Sequence, residues 1–572
     1  MVEISSKQEH VREVCRKLKP ILGAKMDQLF YAYSAEDAEG KKQIEAYLDI
    51  LAAKYLAREL EDNATDLVPP SREQAYGEYV LGTVQYAGRS RYLFGLREGD
   101  WIQHVAILGR TGSGKTNLGF LIFKDLIEKG KPVLVFDWKR NYRDLLALPG
   151  FEDVEVYTVG RDIAPFRFNP LIPPHGTNPK TWLKKLIEVV AFSYCLGNGT
   201  LYLLQEAIDA VYEEHGVYSG TVQRWPTFRD VLHKAREREA RGREAGWLAS
   251  TLRALSSLCF GQMDKVINTA SNQNLEHLLS KSAILEVDVL GHSDKVFLIQ
   301  AMLLWVHHRR MTEGEREVFK HCLMIEEAHH VLSNERHSLI GGQSVMDITF
   351  REIREYGEAL VFLDQAPSLI SLSALGNTYC TICLNLKHQK DVNAMAQCML
   401  LDGAERDILG SLEVGEAVVK LQGRSPRPFM ITIPGFEIRK GVVSDEMVGK
   451  RMVGIIPGDY VEESEQTEFT EPPIHARSSP DVQPVESLAL AFLSDVRDYP
   501  DSGVAARYKR LGLSVRQGQK LKDTLVQQGL IQEHEEHTQT GRLKVIRLTE
   551  RGEASLYEQQ ERNVDSRLTL DT

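Results

Sequence analysis

The stretch from Val105 to Asn117, VAILGRTGSGKTN, decides the fold class of this chain. Four apolar residues have the pattern of a buried strand, residues 109–116 match the P-loop pattern in full, and a helical pattern continues to Lys129. The glycines leave room for backbone N–H groups to surround phosphates, Lys115 reaches the β- and γ-phosphates, and the Thr116 hydroxyl holds Mg²⁺. A dinucleotide-binding turn has no use for the Lys-Thr pair. We therefore expect a site for ATP and Mg²⁺ formed by Gly109, Arg110, Thr111, Gly112, Ser113, Gly114, Lys115, Thr116 and Asn117.

A second motif offers the carboxylates that a P-loop site requires. Residues 322–330, CLMIEEAHH, form an apolar run that ends in two glutamates. We expect Glu326 to hold Mg²⁺ through water, and Glu327 to act as the general base on the attacking water. Asp is commoner than Glu at the first of these positions. A solvated acidic start of a helix is the alternative interpretation.

Two further stretches carry groups that act on phosphates. The strand pattern of residues 358–368, EALVFLDQAPS, ends near Gln365, whose amide is expected to sense the γ-phosphate; an ordinary turn is the alternative. Upstream, Arg351 and Arg354 lie at a predicted helix end. In a ring ATPase one of them would reach the nucleotide of the next subunit, whereas a surface salt bridge with a neighbouring glutamate is the alternative. The predicted catalytic residues are Glu327, Gln365, Arg351 and Arg354.

The composition is that of a globular protein. Of 572 residues, 43% are hydrophobic and 26% charged, which excludes a fibrous or wholly disordered chain. The net charge of −11 would confine any DNA contact to local basic patches. Seven cysteines, an odd number, indicate a reducing compartment. Because no apolar run approaches about 18 residues and no secretory leader is visible, we expect a cytoplasmic protein without a membrane span.

Strand and helix patterns alternate through the middle of the chain. The strand-type runs are 105–108, 133–136, 284–287, 323–325, 360–363, 381–386 and 417–421. Their alternation with helices is typical of a largely parallel sheet covered on both faces, so the expected fold class is α/β. The expected segments are an N-terminal helical region 1–70, a short β segment 71–100, an α/β nucleotide-binding domain 101–435 with a helical insertion at about 178–280, a linker 436–485, a winged helix-turn-helix 486–557 and a tail 558–572.

The C-terminal pattern of three helices and a β-ribbon is that of a winged helix. Its cationic and acidic side chains are Arg516, Lys520 and Lys522 on the candidate recognition helix, and Glu533, Glu535 and Glu536 on the hairpin. Carboxylates on the wing oppose contact with phosphates, so we expect weak, salt-sensitive DNA affinity at most. The alternative interpretation is that this domain docks a protein or packs between subunits.

The motifs together resemble a known family. They are Gly-x-Thr-Gly-Ser-Gly-Lys-Thr-Asn at 109–117, an apolar strand ending in Asp137 with Asn141-Tyr142 after it, Glu326-Glu327-Ala328-His329, and Arg354-x-Tyr-Gly followed by Gln365-x-Pro-Ser. This combination resembles the HerA branch of the HerA/FtsK superfamily over residues 77–435, roughly 60% of the chain.

The resemblance implies a RecA-like core in a homo-hexameric ring, with nucleotide between subunits and double-stranded DNA through the channel. By position it assigns phosphate and metal binding to Lys115 and Thr116, catalysis to Glu327, the sensor to Gln365 and a motif arginine to Arg354. The chain departs from archaeal-type members in its N-terminal helical unit, in Glu326 where Asp is usual, and in its winged helix. These departures resemble HerA-type ATPases encoded beside antiviral effectors, which implies a nuclease or an NAD-consuming enzyme as partner.

Three functions follow as hypotheses. The first is an ATP-dependent DNA translocase or helicase of a DNA-processing or defence complex. The second is an ATPase scaffold that controls an effector enzyme without processive movement on DNA. The third is a DNA-binding regulator in which the winged helix selects a site and the ATPase reports occupancy.

Overall fold

The structure is a computed structural model that describes residues 6–56, 67–272, 275–333, 345–456, 485–500, 502–513, 515–538, 541–554 and 556. The chain divides into two compact units, Met1–Thr467 and Glu468–Thr572. The expected tail 558–572 lies outside the described residues, as does most of the expected linker.

The first unit is built on an eleven-stranded sheet. Its strands are β1 Tyr79–Tyr86, β2 Arg89–Leu96, β3 Val105–Leu108, β4 Val133–Asp137, β5 Glu155–Thr158, β6 Ala283–Glu286, β7 His321–Glu326, β8 Glu358–Asp364, β9 Cys380–Cys383, β10 Glu416–Leu421 and β11 Ser425–Thr432. They lie in the order β2-β1-β11-β10-β9-β3-β8-β7-β4-β6-β5. The seven strands from β9 to β5 pair in parallel, and the four at the other side pair antiparallel.

Helices cover the parallel strands. The helices of this unit are α1 Ser6–Leu22, α2 Lys25–Ala35, α3 Ala38–Tyr55, α4 Arg72–Ala75, α5 Glu98–Trp101, α6 Lys115–Glu128, α7 Pro179–Tyr194, α8 Asn198–Glu214, α9 Phe228–Arg236, α10 Arg243–Leu258, α11 Gly261–Ile267, α12 Leu275–Leu278, α13 His292–Met311, α14 Val345–Glu352, α15 Leu372–Gly376, α16 Gln389–Met399, α17 Gly403–Arg406, α18 Ile408–Ser411 and α19 Asp445–Met452. Every residue of β3, β4, β6, β7 and β8 is buried, as a sheet covered on both faces requires. The predicted α/β class with a large parallel sheet is confirmed, and helices α7–α12 fall between β5 and β6.

Two strands were not expected from the sequence. Strand β5, Glu155–Thr158, is only four residues long, which is short for a strand pattern. Strand β11, Ser425–Thr432, contains Pro426 and Pro428. Proline within an apolar run argues against a central strand, because it has no N–H to donate to a neighbouring strand. The prolines are tolerated here because both lie near the first end of the strand, before the ladder with β1 begins at Met430.

The predicted start of the linker at residue 436 is wrong. Residues 436–456 are part of the packed first unit, and Val443, Val448 and Met452 are buried in its core. The Arg451 side chain adds a hydrogen bond of 3.0 Å from Nε to the carbonyl oxygen of Val154. A pattern of isolated apolar residues among charges concealed this short helix from sequence analysis.

The second unit contains α20 Val485–Asp498, α21 Val504–Arg510, α22 Val515–Gln527, and the antiparallel pair β12 Ile531–Thr538 and β13 Gly541–Leu548. This order of elements is the one expected of a winged helix, which stays a prediction. Lys522 of α22 forms an ion pair with Glu533 of β12, so this lysine is already neutralised within the unit. The side chains of Arg516, Glu535 and Glu536 lie outside the described residues. Within the described ranges, no helix has the length and apolarity needed to cross a membrane.

Candidate nucleotide-binding site

The carboxyl ends of three adjacent parallel strands bring the predicted site residues together. The P-loop follows β3, Glu326 ends β7, and Gln365 follows β8. The strand register places these strand ends at nearly the same level of the sheet, because Leu108 is opposite Asp364 and Glu326 is opposite Leu363. Because parallel strands all point the same way, these groups meet at one edge of the sheet, where ligands bind in open α/β folds.

Glycine is required at the start of the loop. A Cβ at Gly109 would lie 2.7 Å from Ser113 Oγ and 2.9 Å from Leu384 Cβ, so a larger residue would displace the loop. The Gly109 N–H donates to the Asp364 carbonyl oxygen at 3.1 Å, and the Arg110 N–H donates to the Asn385 carbonyl oxygen at 2.7 Å. These two bonds attach the loop to the strands on either side of β3.

The geometry of the loop fits a bound phosphate. Gly112 and Gly114 have φ of +80° and +109°, and nothing lies within 4 Å of a Cβ placed on Gly112. Helix α6 begins at Lys115 without a side-chain cap, so its first N–H groups have no side-chain acceptor. The buried Ser113 hydroxyl has no hydrogen-bond partner within the described residues. These donors form the concave anion site that a triphosphate needs.

Backbone carbonyl groups of the loop hold the Lys115 side chain. Its Nζ donates to the carbonyl oxygens of Gly109 at 2.6 Å and Arg110 at 3.0 Å. Burial lowers the pKa of Lys115, while the charges of Glu327 and Asp364 act in the opposite direction. The ammonium group is therefore positioned beside the space that the loop encloses.

The Asn117 side chain makes two hydrogen bonds to the segment after β11. Its Nδ2 donates to the Pro434 carbonyl oxygen at 2.9 Å, and its Oδ1 accepts the Phe436 N–H at 2.6 Å. The side chain thus fastens the segment after β11 to the start of α6.

Two buried carboxyl groups lie on neighbouring strands beside the candidate magnesium site. Asp137 and Glu326 end the adjacent strands β4 and β7. Burial raises the pKa of Glu326 to about 8, to which the charges of Asp137 and Glu327 add, and burial raises the pKa of Asp137 to about 6. A divalent cation would relieve the cost of holding both groups ionised.

The donor set fits Mg²⁺ bound with phosphates rather than a cage made of protein alone. Across the described ranges, no three His, Cys, Asp or Glu side chains are arranged to hold a metal ion. Mg²⁺ usually takes one or two protein carboxylates, substrate phosphates and water. Thr116, in the first turn of α6, and Glu326 are the residues that would hold it.

Glu327 sits at the centre of a hydrogen-bonded chain. Its Oε1 forms an ion pair with Lys139, and its Oε2 accepts a hydrogen bond from Gln365 Nε2 at 3.0 Å. The Thr111 hydroxyl in turn donates to Gln365 Oε1 at 2.7 Å. Gln365 therefore connects the P-loop to the predicted general base, which is more than an ordinary turn at a strand end would do.

Sequence analysis missed Lys139, Asp364 and His329. The His329 N–H and Nδ1 contact Asp364 Oδ2 at 2.6 and 2.8 Å. Although burial opposes it, the hydrogen bond and charge of Asp364 raise the pKa of His329. The signal for Asp364 was its place at a strand end beside Gln365, but only the fold shows that His329 and Lys139 face the same edge.

The two arginines are not brought to this edge. Arg351 lies in the last turn of α14, and Arg354 lies in the 3₁₀ turn Ile353–Tyr356 that precedes β8. Gln365 follows the other end of β8, so the seven-residue strand separates them from it by about 20 Å. A surface salt bridge between one of these arginines and a neighbouring glutamate was the alternative. Glu352 lies 3.3 Å from His307 Nε2, and Glu355 lies 3.7 Å from Arg316.

Comparison with known proteins identifies the type of the central domain. Residues 80–296 match the model of the central domain of the helicase HerA. The DNA double-strand break repair helicase HerA of Sulfolobus acidocaldarius is 24% identical over 347 residues, which cover 59% of this chain and 65% of the relative. The chain thus spans slightly less than two thirds of that relative's length.

Solved structures were also compared. VirB4 of Thermoanaerobacter pseudethanolicus aligns with a TM-score of 0.49 and 18% identity over 62% of this chain and 96% of VirB4. The bacterial conjugative coupling protein TrwB aligns with a TM-score of 0.48 and 12% identity over 65% of this chain and 93% of TrwB. The matched HerA model covers the P-loop and continues through the helical insertion to β6. The P-loop site and this match identify residues 80–296 as a HerA-type central domain of a P-loop ATPase.

Proposed function

We propose that this protein hydrolyses ATP with Mg²⁺ and uses the energy to move on double-stranded DNA. The observation that carries the proposal is the meeting of the P-loop, Glu326, Glu327 and Gln365 at one sheet edge. The name of the HerA relative, a DNA double-strand break repair helicase, supports the choice of DNA.

The residues at the site divide the chemistry between them. The loop N–H groups and Lys115 bind the phosphates, and Glu327 accepts the proton of the attacking water. Gln365 orients that water or the γ-phosphate through its bonds to Glu327 and Thr111. Mg²⁺ held by Thr116 and Glu326 would neutralise charge that develops on the phosphates.

A ring is part of this proposal because Arg351 and Arg354 lie at the opposite end of β8 from the nucleotide site of their own chain. Arg351 and Arg354 lie at the amino end of β8, and the P-loop lies at the carboxyl edge. In a homo-hexamer a neighbouring subunit would present its own amino-end turn to this nucleotide. An arginine supplied in trans is worth about 10³ to 10⁵ in rate.

The proposal includes a partner, an effector enzyme that is either a nuclease or an NAD-consuming enzyme. The two proteins would act together in DNA processing or antiviral defence. The N-terminal helices α2 and α3 expose Tyr31, Tyr47 and Ile50 at 73%, 52% and 65%. Large exposed apolar side chains of this kind favour a protein partner on these helices.

Displacement of a third strand from a DNA triplex tests the movement on DNA. The wild type should release the triplex-forming strand only with ATP and Mg²⁺, and Lys115→Ala should not release it. Lys124→Ala, which alters a lysine paired with Glu128 on the exposed face of the same helix, is the matched control. ATP hydrolysis without any displacement would instead favour a scaffold that controls its partner enzyme.

A further inference from the structure

Lys139 occupies a place in the site that no sequence motif assigns to it. It lies two residues beyond β4, and its Nζ forms an ion pair with Glu327 Oε1. The Lys139 side chain is 58% exposed, whereas that of Glu327 is only 13% exposed. The lysine thus reaches inward from the surface to a carboxylate that is largely shielded from water.

An exposed ion pair by itself usually contributes little to stability. The pair of Lys139 with Glu327, however, is held at both residues by further hydrogen bonds. The Lys139 N–H donates to Asp137 Oδ1 at 3.0 Å, which attaches the base of its side chain to the end of the strand. Gln365 Nε2 holds the other oxygen of Glu327 at 3.0 Å. Both carboxylate oxygens therefore have partners that come from separate strands.

The backbone of Glu327 needs such support. Its φ of +51° and ψ of +45° place it in the left-handed region, which is strained for a residue with a side chain. Strained backbone persists where its surroundings hold it. Side-chain partners on both oxygens restrict the rotation of a carboxylate that projects from this turn.

Lys115 and Lys139 are held by different groups. Lys115 Nζ rests on the carbonyl oxygens of Gly109 and Arg110 inside the loop. Lys139 Nζ instead forms an ion pair with Glu327, the predicted general base. This difference separates a phosphate-binding lysine from one that acts on the general base.

We propose that Lys139 is a positioning residue that holds the Glu327 carboxylate in the orientation required to activate water. The inference rests on the proposed ATPase function and deepens it. Removing Lys139 should slow the chemical step while leaving nucleotide binding unchanged, because a small misplacement of a catalytic group costs about 10²-fold in rate.

Steady-state ATP hydrolysis by the full chain tests this assignment. Lys139→Met, which keeps the length of the side chain, should lower kcat about 10²-fold with KM and the Kd of a fluorescent ATP analogue within about twofold of wild type. Lys139→Arg should restore most of the rate, since it again offers a cation to Glu327. Lys124→Met is the control for loss of an exposed lysine, and an unchanged melting temperature shows that the variants fold.

A double mutant makes the test specific to Glu327. In the Glu327→Gln background, Lys139→Met should cause no further loss of kcat, because residues that act through one another are not additive. An additive loss would overturn the proposal, as would an unchanged kcat, a faster one, or a rise in KM or Kd that points to direct phosphate contact. If wild type shows no hydrolysis that depends on Lys115, the proposed function fails, and the inference fails with it.

Discussion

The most specific prediction from the site is the effect of Glu327→Gln on the rate of ATP hydrolysis. The substitution keeps the size of the side chain and an amide oxygen that can accept from Gln365 Nε2, but it removes the charge that faces Lys139. A general base contributes about 10² to 10⁴ in rate, and each factor of ten corresponds to about 1.36 kcal/mol of activation free energy. We therefore expect kcat to fall by a factor in this range, equivalent to about 2.7 to 5.4 kcal/mol.

Binding and stability should hardly change in the same variant. The hydrogen bonds that the structure describes for Glu327 go to Lys139 and Gln365 and not to the loop that encloses the phosphates, so the Kd for ATP should stay within about threefold of wild type. Loss of a partly exposed ion pair costs about 0 to 1 kcal/mol, which should lower the melting temperature by only a few degrees.

Phosphate release and titration with a fluorescent ATP analogue measure the two effects separately. Lys115→Ala provides the contrast, since it should weaken nucleotide binding as well as hydrolysis. A Glu327→Gln protein that hydrolyses ATP at close to the wild-type rate would refute the assignment of the general base.

Three other predictions concern the rest of the chain. Arg354→Ala subunits and Glu327→Gln subunits should each be nearly inactive but regain some hydrolysis when mixed, because some interfaces then contain both groups; a fully active monomer would contradict this. Glu358→Gln should lower the free energy of unfolding by about 3 kcal/mol at neutral pH, since the buried Glu358 accepts from Arg310 Nε at 2.5 Å and contacts His321 Nδ1 at 2.8 Å. Despite burial, the charges and hydrogen bonds of these two partners lower the pKa of Glu358, so its contribution is present above about pH 4.3 and is lost as the pH falls below that value; denaturant unfolding at several pH values should show the difference from wild type shrinking there. Truncation after Gly458 should leave most of the affinity for double-stranded DNA, and a large loss with a markedly shallower dependence on salt would make the C-terminal unit a principal DNA contact.

Local motifs predicted the centre of the site because the chemistry resides in short segments. A P-loop specifies its own flanking strand and helix, and an apolar run that ends in Glu326-Glu327 marks the next strand end to search for. The parallel sheet then follows from the alternation of strands and helices. These inferences need no knowledge of which strand pairs with which.

Contacts between distant segments could not be predicted in the same way. Lys139 and Glu327 are 188 residues apart, and only the pairing of β4 with β7 brings them together. The helix Asp445–Met452 is polar over most of its surface, so its packing depends on a few buried side chains that sequence patterns do not distinguish. Likewise, the pairing of Lys522 with Glu533 depends on how the hairpin folds over α22.

The most direct test of the central claim is the rate of ATP hydrolysis with and without double-stranded DNA. The wild type should hydrolyse ATP in the presence of Mg²⁺, the rate should rise when DNA is added and fall again as salt weakens DNA binding, and Lys115→Ala should be inactive in every condition. Hydrolysis that depends on Lys115 but does not respond to DNA of any length would contradict the proposed motor. The absence of any Lys115-dependent hydrolysis in wild type would contradict the proposed ATPase activity itself.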